Sequence, residues 1–133
     1  MKYLLLPFIA WAISGCLKFI INYIKYGAKA NQLIGYGGFP STHTTIVSSV
    51  VFLIGLTEGF FTPLFSLGLA ILLIIIIDAH GLRRHIGEQA TVINQFNRRN
   101  NIKSFSLRER IGHRWIEILG GVLLGFILAY IIA

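Results

Sequence analysis

Acidic side chains are scarce in this 133-residue chain: Asp and Glu number 5, against 12 Lys and Arg, and only 13% of residues are charged. A soluble domain carries about 25% charged residues and about 45–50% apolar ones. Here 55% are hydrophobic and the mean hydropathy is +0.72. A water-soluble fold of this length has no interior large enough for that apolar excess, so a soluble domain is excluded and a membrane domain is indicated. There is one cysteine, Cys16, which excludes an internal disulfide and leaves the redox compartment open. Its apolar surroundings read as those of a small packing residue. Tandem repeats, low-complexity tracts and any sign of a second domain are also missing, so residues 1–133 read as one domain.

Four apolar stretches are present. A spanning helix needs about 20 mainly apolar residues. The first runs from about Tyr3 to Ile24. The opening Met1-Lys2-Tyr3-Leu4-Leu5-Leu6-Pro7 has the charge and apolar run of a leader, but the stretch continues past Gly15 without a small-residue cleavage site, so it reads as a mature helix. A polar, glycine-rich stretch from Lys25 to Thr42 follows, with Tyr36-Gly37-Gly38-Phe39-Pro40 as helix breaker. The second helix starts at Ser41 or Thr42, runs to about Thr57, and is rich in Ser, Thr and Val, as suits a helix buried among helices. A short turn, Glu58 to Pro63, leads to a third helix over Leu64 to Asp78. The longest polar segment, Ala79 to His113, precedes the last helix, from about Arg114 to Ala133, whose Gly120-Gly121 and Gly125 permit close helix packing. Within the polar segment, Gly87 to Lys103 reads either as an interfacial helix capping a site or, through Arg98, Arg99 and Lys103, as a solvated or lipid-contacting face. The fold class is therefore all-α, a polytopic helical membrane bundle of about four spans.

Four spans put both long polar segments on one membrane face, together with nearly all Lys and Arg; Lys2 is the exception. The positive-inside rule makes that face cytoplasmic and the membrane the inner one. In a membrane setting the net charge of +7 points to anionic lipid or phosphate partners rather than to nucleic acid.

The same face gathers the residues able to do chemistry. Lys18 and Lys25, seven apart, share a helix face, and beside a glycine-rich loop they suggest an anion site; Lys18 alone can also snorkel to headgroups. Pro40-Ser41-Thr42-His43 puts a hydroxyl, free N–H groups and an imidazole at a helix N-terminus, where phosphate is attracted, although Ser41 or Thr42 also suits an ordinary cap. His113 and Glu117 are four apart, so the carboxylate can hold the imidazole by its Nδ1. His43, Asp78, His80, His85, His113 and Glu117 are metal-ligand types, but no pair has a zinc spacing and the surrounding cations repel a metal, so no metal or other cofactor is expected.

Taken in order, Lys18 and Lys25, Pro40-Ser41-Thr42-His43, Arg83/Arg84, and His113 with Glu117 resemble the three-part signature of the type 2 phosphatidic acid phosphatase superfamily, which includes vanadium haloperoxidases. Gly37-Gly38-Phe39-Pro40-Ser41-Thr42-His43, Asp78-Ala79-His80-Gly81-Leu82-Arg83-Arg84 with Gln89-Ala90, and Gly112-His113 through Glu117 to Gly120 resemble its small divergent branch, over almost the whole chain. The resemblance implies His113 as nucleophile forming a phosphohistidine, Glu117 as the carboxylate that orients it, and His43 as general acid. It implies a phosphate cradle of Lys18, Lys25, Ser41, Thr42 and Arg83 or Arg84, with Asp78 in support. Lys25-Tyr26 stands where the superfamily has Arg-Pro, Thr42 replaces a Gly, Glu117 replaces an Asp, and a long insertion separates Arg83 and Arg84 from His113, with Arg108 lying nearer. The implied activity is metal-independent hydrolysis of a lipid phosphate monoester or diphosphate: a polyprenyl (di)phosphate, phosphatidic acid or phosphatidylglycerophosphate. A non-catalytic lipid-phosphate binder or carrier, and a structural subunit pairing through its glycine-rich last helix, are the rival readings. Association of four-span copies into a homo-oligomer fits either, with no stoichiometry set.

Overall fold

The computed structural model describes residues 1–28, 30 and 37–133; the rest of the Lys25–Thr42 loop, Tyr36 included, lies outside the described residues. Five helices follow one another: α1 (Lys2–Tyr26), α2 (Thr42–Glu58), α3 (Pro63–His80), α4 (Leu82–Arg99) and α5 (Trp115–Ile132). Local signals account for most of their ends. Pro63 opens α3 behind a Thr62 cap whose hydroxyl accepts from the Phe65 N–H at 3.2 Å. Gly27 ends α1 at φ 58°.

Three of these helices, α1, α3 and α5, are long and apolar enough to cross a membrane, α3 being joined to α4 with only Gly81 between them. At 17 residues, or about 26 Å, α2 is slightly shorter than the about 30 Å hydrocarbon core. It is also the central helix, packing on α5, α1 and α3. That position explains its composition. Thr44, Thr45, Ser48 and Ser49 are fully buried, and each hydroxyl bonds within the protein, as lipid surroundings require: Thr45 Oγ1 donates to the Ser41 carbonyl at 2.9 Å and Ser49 Oγ to the Ile46 carbonyl at 2.8 Å. Glycines on α5 let the two helices meet. A Cβ at Gly121 would lie 2.6 Å from the Ser41 carbonyl oxygen, and one at Gly125 would run into Ser48 Oγ. The outward faces are apolar: Leu67, Ile74 and Ile77 on α3 and Ile116, Leu119 and Leu123 on α5 stand exposed, a surface that lipid covers.

The two ends of the bundle differ. At one end Tyr3 Oη donates to Glu58 Oε1 at 2.6 Å and Lys2 Nζ to the Ala133 carbonyl at 3.1 Å, which joins the N-terminus, the α2–α3 turn and the C-terminus. His43, Arg83 and His113 collect at the other end. The polar segment departs from expectation in one respect: helix resumes at Leu82, immediately after Gly81, rather than near Gly87. The resulting α4 is amphipathic, with Leu82, Ile86, Ile93 and Phe96 exposed and Gly87, Ala90 and Asn94 buried.

What α4 buries is the strap 100–114 that leads into α5. Asn94 grips it: Nδ2 donates to the Leu107 carbonyl and to Glu109 Oε1, both at 2.8 Å, and Oδ1 accepts from the Leu107 N–H at 2.9 Å. Three bonds of about 1 kcal/mol each hold the strap in place. Asn94→Ala should therefore loosen it, with tryptic cleavage at Arg108 and Arg110 and amide exchange over 103–112 both rising while α1, α2 and α5 stay protected.

Candidate active site

Between α1 and the strap lies a cavity of about 670 Å³. Its polar end is lined by Lys18, His43, Arg83, Arg108, Arg110 and His113. No Asp or Glu lines it among the described residues.

His113 enters α5 one residue ahead of the Arg114 cap. Its N–H donates to the Ala79 carbonyl at 2.9 Å, tying the strap to the end of α3. Its Nδ1 meets Glu117 Oε2 at 2.8 Å, with both side chains largely buried, and the same carboxylate oxygen accepts from the Arg114 N–H at 3.2 Å. Glu117 is thus fixed twice, by the cap and by the imidazole. A carboxylate only accepts, so the pairing puts a proton on His113 Nδ1; in the neutral imidazole Nε2 is then the nitrogen with the lone pair. Gly112 precedes His113 at φ 93°, a backbone region that favours glycine, and a Cβ there would lie 2.7 Å from the Arg84 backbone nitrogen. A glycine at this position lets the strap pass close over the start of α4.

His43 sits on the first turn of α2, with its Nε2 3.4 Å from Nη1 of Arg83. Arg83 is in turn paired with Asp78 through Nε. Asp78, five residues earlier at the end of α3, therefore aims the guanidinium across Gly81 towards His43. The site is closed from the other side by backbone: the Gly37 N–H donates to the Arg110 carbonyl at 3.2 Å, and the Ser41 N–H donates to the Glu117 carbonyl at 2.9 Å.

Of the ten residues singled out in the sequence, Lys18, Thr42, His43, Arg83 and His113 line the cavity, and Glu117 and Asp78 support two of them from behind. Three do not reach it. Lys25 is exposed, two turns beyond Lys18 along α1. Arg84 turns outwards and pairs with Glu88 Oε1 at 3.4 Å. Ser41 is fully buried, its hydroxyl 2.8 Å from Thr44 Oγ1. Two cationic lining residues were not assigned to the site from sequence: Arg110, and Arg108, which was weighed behind Arg83 and Arg84 as a phosphate contact. Cys16 is exposed and borders the cavity, contrary to the packing role expected of it.

The metal-ligand types are dispersed. His85 faces Glu88 at 3.2 Å, and the His80 ring lies 4.5 Å from that of Trp115. Among the described residues no three His, Cys, Asp or Glu side chains are grouped to hold a metal. What the arrangement offers is an imidazole oriented by a carboxylate, a second imidazole beside a guanidinium, and a cationic rim. Phosphoryl transfer needs these elements: positioning of the attacking group and neutralisation of charge on the equatorial oxygens.

Comparison with known proteins gives a family for the chain. The model of the divergent PAP2 family matches residues 1–128. The chain is also similar to the "Uncharacterized membrane protein YuiD" of Bacillus subtilis (strain 168), at 38% identity over 112 residues, covering 73% of this chain and 71% of the relative. No solved structure matches.

Proposed function

The chain belongs to the divergent PAP2 family, and on that premise we propose that it is an integral membrane lipid phosphatase whose 133 residues form one catalytic domain. The observation that carries this reading is the His113–Glu117 pair at 2.8 Å on the edge of a cavity lined by four Lys and Arg side chains. In the proposed reaction, His113 Nε2 attacks phosphorus and the bond to the lipid oxygen breaks, giving a phosphohistidine. A protonated His43 gives its proton to the departing oxygen, which leaves as the lipid alcohol from a monoester or as the lipid monophosphate from a diphosphate. Neutral His43 then takes a proton from water as that water attacks phosphorus, the P–N bond breaks, and inorganic phosphate leaves with His113 restored. Lys18, Arg83 and the Thr42 backbone neutralise and position the phosphoryl oxygens, with Arg108 and Arg110 on the strap side. Asp78 and Glu117 are positioning groups for Arg83 and His113.

The substrate is a lipid phosphate monoester or diphosphate, of the polyprenyl, phosphatidic acid or phosphatidylglycerophosphate kinds. The cationic end faces the cytoplasm in the inner membrane, in keeping with the positive-inside rule. Amphipathic α4 lies at that interface with its apolar side in the lipid. The structural-subunit alternative loses its main support, because Gly121 and Gly125 are occupied by α2 of the same chain.

The test is phosphate release from a panel of lipid phosphates in detergent with EDTA present. Wild type should release phosphate despite the chelator. Glu117→Gln keeps a side chain of the same shape but removes the charge that steadies His113, and should slow release by on the order of 10²–10⁴-fold. Undiminished release by Glu117→Gln would remove the pair from the mechanism. No release from any lipid by folded wild type would leave a binder or carrier.

A further inference from the structure

The cavity is not polar throughout, and its apolar part has a direction. Away from Lys18 its wall is one face of α1: Trp11, Ala12, Gly15, Cys16 and Phe19. This spacing keeps to one side of a 3.6-residue helix. A second, almost wholly apolar groove begins where the first ends; Pro7, Phe8, Trp11 and Ile46 line it, and Trp11 is common to both. The two form a track from Lys18 to Pro7, eleven residues or about 16 Å along the helix axis. It starts at the cationic end and runs into the depth of the bilayer, covering about half of a 30 Å hydrocarbon core.

The middle of this track is kept open. A Cβ built on Gly15 meets nothing within 4 Å among the described residues. The helix is therefore not short of room at this position, unlike at Gly121 and Gly125, where α2 occupies the space. Glycine inside a helix weakens it relative to alanine, so packing gives no reason for glycine here, whereas an occupant of the track does.

We propose that this α1 face is the channel for one hydrocarbon chain of the lipid phosphate, with Gly15 setting the bulk of chain that passes. The inference rests on the lipid-phosphatase reading for the identity of the head group and extends it to the tail. Charge complementarity anchors the occupant: phosphate at Lys18, Arg83, His43 and His113, and a chain leading from it past Gly15 to Trp11.

Cys16, the only cysteine in the chain, stands on the wall and serves as the reporter. Its modification by N-ethylmaleimide is followed in detergent with the wild-type protein, over an interval short enough that turnover consumes a negligible share of any phosphate ester present. A long-chain alkyl phosphate should slow modification about ten-fold when present at ten times its Kd. The matching alkyl alcohol, which lacks the anchor, and inorganic phosphate, which lacks the chain, should leave the rate unchanged. In release assays Gly15→Leu should lower the ratio of long-chain to short-chain turnover by about ten-fold or more. Leu67→Phe, on the outward face of α3, adds similar bulk and should not change that ratio.

Each outcome separates the two readings. Phosphate release from the alkyl phosphate with no protection of Cys16 overturns the channel and leaves the phosphatase standing. Protection without release keeps the channel and leaves a binder. Neither protection nor release overturns both.

Discussion

If His113 is the nucleophile, His113→Ala should abolish phosphate release, by at least about 10³-fold, and should leave the fold intact. The size of the effect follows from the role. Without the imidazole there is no nitrogen to take the phosphoryl group, and water attacking directly would have to do so without a base at that position. The fold survives because His113 holds the strap through its backbone: the N–H bond to the Ala79 carbonyl at 2.9 Å does not involve the side chain. Glu117 loses the imidazole but keeps the Arg114 N–H at 3.2 Å. Binding of a lipid phosphate by the cationic rim should therefore persist in the variant, which makes the loss one of chemistry. Brief incubation of wild type with a phosphorus-labelled lipid phosphate should leave a protein-bound label that acid removes and base does not, as a P–N bond requires, and His113→Ala should carry none. Unimpaired release by His113→Ala would place the nucleophile elsewhere.

Much of this site could be read from the sequence because its parts are local. His113 and Glu117 are one helical turn apart, and Asp78 and Arg83 lie on either side of one glycine. The start of α2 was legible for the same reason, since the Ser41–Thr42 boundary acts within a turn, whereas α1, read as ending near Ile24, runs on to Tyr26. The misplaced residues failed for specific physical reasons. Lys25 does share a face with Lys18, but seven residues is also about 10 Å of axial rise, which carries it past the end of the cavity. Arg84 is adjacent to Arg83 in sequence and about 100° away around α4, so Glu88, one turn on, captures it. Ser41 has the right chemistry, but its hydroxyl is engaged by Thr44 three residues on, a local contact in the first turn of α2 that competes with a ligand. Arg108 and Arg110 enter through a long-range event, the gripping of the strap by Asn94 and by Gly37. A faint local signal for them existed: in an extended strap Arg108 and Arg110 alternate with Glu109, and Glu109 is the one that turns to α4. Which neighbour would impose that alternation is not written in the segment itself.

Gly125→Ala should be strongly damaging for a single methyl group, because the proposed catalytic pair depends on a helix contact that leaves no space for it. His43 rides on α2 and His113 and Glu117 on α5, and the face joining these helices is the most extensive in the bundle. At Gly125 an added Cβ would overlap Ser48 Oγ and would also lie 2.8 Å from the Ser49 nitrogen and 2.9 Å from the Thr45 carbonyl oxygen. Only the first of these neighbours can turn aside. The other two are backbone of a helix enclosed by α1, α3 and α5, so relief requires α2 and α5 to separate. Overpacking of this kind costs about 1–3 kcal/mol, and the backbone contacts put Gly125→Ala at or above the top of that range. The measurement is the unfolding midpoint in a denaturing detergent series, read beside phosphate release. Adding Ser48→Ala removes the hydroxyl, and with it the bond to the Gly121 carbonyl at 3.3 Å; the double variant should recover only part of the loss, since the contacts with Ser49 N and Thr45 O remain. Full recovery would assign the strain to the hydroxyl alone. The same displacement should separate His43 from His113, so activity is expected to fall even in the fraction of Gly125→Ala that remains folded, whereas Gly15→Ala, with open space before it, should not lower the unfolding midpoint.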